Sequence, residues 1–90
     1  MYNLGNNRLF YTSLTAEGTT VLAEILNPKL EKHSFEMIQF EGNVYYLDII
    51  FCYHGPYLFS VFEDGIEKHK DILHVSLGKH VIYPESGNFV

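Results

Sequence analysis

Val44–Phe62 reads VYYLDIIFCY, then HGP, then YLFSVF, the most apolar and aromatic stretch of the chain. Two runs rich in β-branched and aromatic residues, parted by a Gly-Pro turn signal, predict two strands. With His54-Gly55-Pro56 as the loop, Tyr53 opposes Tyr57, Phe51 opposes Phe59 and Ile49 opposes Val61. Side chains alternate across a strand, so Tyr45, Leu47, Ile49, Phe51 and Tyr53 share one apolar face with those partners. Pro56 lies in the loop, where its missing N–H costs no ladder bond.

Upstream, Gly42-Asn43 is a favoured two-residue hairpin pair. It joins His33–Glu41 to the first strand, with Phe40 opposite Tyr45 and Ile38 opposite Leu47. Both turns therefore send one apolar set inward, whereas a slip of one residue would bring Gln39 and Glu41 there instead. The opposite face carries Val44, Tyr46, Asp48, Ile50 and Cys52 beside Leu58, Ser60 and Phe62.

Further out the pattern is less regular. Met1–Asn7 reads as a loop-like leader and Arg8–Leu14 as a strand. Thr15 suits a helix N-cap, Glu17 the first turn, and Val21, Leu22, Ile25 and Leu26 fall at helical spacing before Asn27-Pro28. These signals predict a helix over residues 16–26. Gly18, Thr19, Thr20 and Val21 are weak helix formers, and they support a rival hairpin turning at Glu17-Gly18, with TTVLAEIL as a strand. Downstream, Glu63-Asp64-Gly65 is a turn, and Ile66–Asp71 reads as a loop or frayed edge. Ile72–Leu77 and His80–Tyr83 form a last hairpin about Gly78-Lys79, and Asn88–Val90 is a tail. The expected fold is α+β, an antiparallel meander of five to six strands with one short helix. The alternative is all-β, a small barrel or sandwich closed by the terminal strands.

Ninety residues predict a single globular domain over 1–90. A composition that is 47% hydrophobic and 16% aromatic excludes disorder. Eleven acidic against six basic residues argue against binding a phosphate backbone, and 19% charged is too sparse to mimic one. Cys52 alone cannot form an internal disulfide, and the opening residues lack a signal-peptide pattern. No apolar run approaches the roughly 20 residues of a membrane helix. A cytoplasmic setting and no membrane partner are the expectation.

No motif carries catalysis. The five histidines lack the paired spacing that lets four ligands converge on zinc, so neither metal nor cofactor is expected. Cys52 and His54 share a strand face about 7 Å apart, too parallel for a nucleophile and its base. His69 and Asp71 with Ser60 or Ser76 supply the residue types of a hydrolytic triad, but no nucleophile elbow accompanies them. The candidate site is instead the second face of the central strands, where Tyr46, Ile50 and Phe62 surround Asp48. Glu63, Asp64 and Glu67 add negative charge toward a basic partner, and His54 lies at the neighbouring turn. These residues predict a small acidic, non-enzymatic binding or inhibitor protein that occludes a protein partner. Toxin-neutralising immunity proteins and phage-encoded inhibitors of host defence are of this kind. The alternatives are a homo-oligomeric assembly protein using the same face, and a small enzyme or metal protein at the His54 turn.

Overall fold

The two strands of Val44–Phe62 carry the expected inward alternation, yet they belong to different sheets. The structure is a computed structural model describing residues 2–14, 20–78, 81 and 83–90. β1 (Tyr2–Asn3), β8 (Ile66–Ser76), β7 (Gly55–Glu63), β3 (Val21–Leu26) and β4 (Lys32–Glu36) form one sheet in that spatial order. β2 (Gly5–Thr12), β6 (Val44–Phe51) and β5 (Ile38–Glu41) form the other. Leu4 and Met37, both buried, carry the chain from one sheet to the other at two corners.

The apolar faces of β6 and β7 stack instead of lying side by side. Phe51 and Tyr57 meet edge-to-face across the interior, with ring centres 4.6 Å apart. The expected hairpin about His54-Gly55-Pro56 is therefore corrected: each apolar set buries the other directly, without a third layer. Tyr57 locks the crossing, its hydroxyl donating to the Val90 carbonyl at 3.0 Å and accepting from the Tyr53 N–H at 3.2 Å. Pro56 enters β7 beside His74, beyond the reach of β3, whose pairing begins at Leu58.

The expected helix, and with it the α+β class, is overturned. No helix occurs among the described residues, and the architecture is all-β, matching the alternative of a small barrel or sandwich. Val21, Ala23 and Ile25 are buried while Leu22, Glu24 and Leu26 face outward, a period of two. β3 lies between β4 and β7, so pairing on both edges outweighs a weak helical preference. The rival turn at Glu17-Gly18 lies outside the described residues, and β3 pairs with neither edge of β2.

Other corrections share one cause: strands recruit polar or terminal segments when an edge is free. Ile66–Asp71 is part of the eleven-residue β8, joined to β7 through Asp64-Gly65. Both turn residues have positive φ, 51° and 83°, as the right-twisted hairpin turn requires. The leader supplies β1, parallel to the end of β8, and the start of β2. Phe89 bridges Ile50, and Val90 is buried in the core. Lys79, His80 and Ile82 of the expected last hairpin lie outside the described residues. The Gly42-Asn43 hairpin forms, with a bulge at Phe40 that resets the register to Gln39 opposite Tyr45. Ile38 and Phe40 consequently turn outward, not into the core.

Candidate binding face

That bulge builds the candidate site. On β2 the side chains of Arg8, Phe10 and Thr12 point away from the core, opposite Asp48, Tyr46 and Val44 of β6. On the other side of β6, Ile38 pairs with Tyr46. Phe10, Ile38 and Phe40 are 56%, 53% and 51% exposed, and all three gather around Tyr46. Phe40 stands 6.0 Å from the rings of both Phe10 and Tyr46, nearly perpendicular to the second.

One end of this apolar area is closed by an ion pair. Arg8 donates through Nε to Asp48 Oδ1 at 2.7 Å and through Nη2 to Oδ2 at 3.1 Å. Its guanidinium lies 4.3 Å from the centre of the Tyr46 ring, a cation–π contact. The hydrogen bond to Asp48 holds the guanidinium above its usual pKa. Asn6, Asn7, Arg8 and Asp48 border an open hollow of about 400 Å³.

The structure brings together two of the sequence-predicted residues, Tyr46 and Asp48, and distributes the rest. Ile50 points the same way but is buried under the C-terminal segment, its N–H bonded to the Asn88 carbonyl at 2.9 Å. Gly87 has a φ of 148°, and a Cβ there would run into Ile50 Cδ1. Phe62 lies on the outer face of the five-stranded sheet, between Leu22 and the exposed Glu67. Asp64 sits in the β7–β8 turn, accepting from the Thr20 N–H at 3.3 Å. His54 is exposed in the β6–β7 crossing.

Glu63 is turned inward and is 3% exposed. Its carboxylate accepts from the Tyr11 hydroxyl at 2.6 Å and from the Ser13 hydroxyl, tying the two sheets together. Burial, then the hydrogen bond to Glu63 and its charge, push the Tyr11 phenol up to about 12. Glu63 is thus a structural link and not a surface charge. Arg8, Phe10, Ile38 and Phe40 were missed by sequence reasoning. The alternation in RLFYTSL already separates Phe10 from Leu9 and Tyr11, but no local signal pairs it with Tyr46.

No family model matches the chain, and no curated protein matches it. A solved structure, that of a provisionally assigned glycoside hydrolase from Bacteroides vulgatus, is similar over 88% of this chain. The TM-score is 0.64, the sequence identity 17%, and this chain spans 17% of the length of that one. The likeness is one of fold. Among the described residues, no three His, Cys, Asp or Glu side chains gather as a metal site would need. No helix among them is long and apolar enough to cross a membrane.

Proposed function

We propose that this chain is a non-enzymatic binding protein, which covers a protein partner with the outer face of the β2–β6–β5 sheet. The observation that carries the reading is the cluster of Phe10, Ile38 and Phe40 around Tyr46. Aromatic residues and Arg are enriched where proteins meet, and a contiguous exposed apolar patch is unusual on a monomer. Rings of this kind supply contact area at low cost in side-chain entropy. The Arg8–Asp48 pair forms a polar rim. An immunity or anti-defence inhibitor acting in the cytoplasm fits these features, with the lone Cys52 suited to a reducing setting.

The test is calorimetry with a partner purified from the native host. Phe10→Ala and Phe40→Ser are each expected to weaken binding about tenfold or more, the effect of truncating a central anchor. Leu30→Ser, in the β3–β4 loop, serves as an exposed control that leaves binding unchanged. Equal binding by all three variants would refute the face.

The fold likeness favours a second reading, an accessory module of a larger carbohydrate-active protein whose rings pack on a sugar. Wild-type binding to a glycan array, lost in Phe10→Ala, together with no protein partner, would replace the first reading with this one.

A further inference from the structure

β4 ends one side of the five-stranded sheet, and its outer edge pairs with no strand among the described residues. The bonds at its two ends fix which of its backbone groups lie free. The Met37 N–H donates to the Val21 carbonyl at 2.8 Å, and the Asn27 N–H to the Glu31 carbonyl at 3.0 Å. Antiparallel strands exchange such bonds at every second residue. His33 and Phe35 therefore turn their N–H and C=O groups toward Ile25 and Ala23 of β3. Those of Lys32, Ser34 and Glu36 point outward. The C-terminal segment leaves them free, since its backbone bonds go to Ile50 and Cys52.

We propose that β4 pairs antiparallel with β4 of a second copy, about a two-fold axis perpendicular to the sheet at Ser34. A row of unpaired backbone groups on an edge is a template for another strand. Only residues whose groups point outward can exchange bonds, so Lys32, Ser34 and Glu36 must meet one another. With the axis at Ser34, Lys32 meets Glu36 of the second copy, Glu36 meets its Lys32, and Ser34 meets Ser34. An axis at Lys32 or Glu36 would set like charges together. One at His33 or Phe35 would oppose Lys32 or Glu36 with Ser34. Bonded pairs share a face, so both ion pairs lie on the outer side, where all three residues are exposed. On the inner side His33 opposes Phe35 of the second copy. Within one strand these rings already lie parallel, with an angle of 3° and centres 6.4 Å apart. Phe35 packs against the core, so the row of rings continues the core across the junction.

The charges also point to a second copy. The chain carries a net −5, so identical molecules repel over most of their surface. Edges that resist pairing carry charges, commonly Lys, and a single sign would repel in such a contact. β4 instead carries one of each sign, at equal distances from Ser34. Lys32 holds Glu24 of β3 at 3.4 Å, so its ammonium would lie between two carboxylates.

Light scattering and sedimentation of the full chain across concentration test the proposal. Wild type is expected to approach twice 10.4 kDa. Lys32→Glu alone or Glu36→Lys alone sets like charges opposite each other twice, and raises the dissociation constant about tenfold or more. An equal mixture of these two variants is expected to associate as wild type does, because every charge again meets its opposite. Each chain keeps its own internal contacts in the mixture, so that rescue can arise only between chains. Ser34→Pro is expected to hold its far-UV circular dichroism yet stay at the single mass, since the lost N–H serves no bond within the chain. A wild type that stays monomeric overturns the proposal, as does a mixture no better than its parts or a folded Ser34→Pro that still dimerises. Phe10→Ser is expected to leave the dimer intact, and loss of the dimer there would overturn it in favour of the aromatic face.

Discussion

The two outer faces of the sandwich both carry apolar side chains, but they differ in where charge lies among them. On the three-stranded sheet the two charges nearest the aromatic cluster, Arg8 and Asp48, are closed on each other. On the five-stranded sheet acids and bases are spread along the strands. A closed pair leaves little charge to seek a partner, so recognition by the proposed face would rest on aromatic area and shape. Charges spread along strands distinguish one orientation of a partner from the reverse. One amphipathic protein thus presents two chemically different faces on the same buried core.

The strongest way to break this comparison is to remove what the faces share. Phe51→Ala deletes a fully buried ring that packs on Tyr57 and lies behind both sheets. It is expected to cost about 3–5 kcal/mol in urea unfolding, with both faces lost together. Phe10→Ala, on the surface, should change stability by no more than about 0.5 kcal/mol. Similar losses from the two would show that the outer rings hold the fold instead of serving contact.

A smaller effect concerns the link between the sheets. The Tyr11 phenol, pushed from 10 to about 12, holds its proton more tightly when folded. It therefore adds stability that is fully present below pH 10 and is lost as pH rises through about 12. Tyr57 is also raised, chiefly by burial, and adds to the same alkaline slope. Tyr11→Phe should be less stable at neutral pH, with a shallower decline in urea midpoints from about pH 9 to about 12. An unchanged slope would exclude Tyr11 as a contributor.

The smallest effect should come from the Arg8–Asp48 pair. Both side chains are about half exposed, at 48% and 59%, so a double-mutant cycle with Arg8→Ala and Asp48→Ala is expected to give only the weak, salt-screened coupling in the range of a surface ion pair. A coupling well above that range would make the pair part of the scaffold and not a rim.

Much of the core was legible residue by residue. Tyr45, Leu47, Ile49 and Phe51 face inward as their alternation predicts, and so do Tyr57, Phe59 and Val61. The turn at Gly42-Asn43 and the one at Asp64-Gly65 also stand where turn chemistry places them. The candidate face was legible only in part. Tyr46 and Asp48 could be assigned to one side of a strand, but Ile50 on that same side packs against Gly87, where Asn88–Val90 pair along β6. That pairing segment starts 38 residues later in the chain, which no local pattern announces. Glu63 shows the same limit, since a carboxylate beside a turn reads as solvated until Tyr11 and Ser13 are brought to it.

The strand VYYLDIIFCY and its successor YLFSVF therefore determined by themselves which side chains turn inward. That follows because a two-residue period is a property of the extended backbone alone. Only the tertiary structure decided that the two strands stack across a core, that residues 21–26 are a strand, and that Phe40 bulges outward. Those outcomes depend on which free edges and apolar faces are available elsewhere in the chain. Pairing between distant segments sets them, and local preference is too weak to resist it.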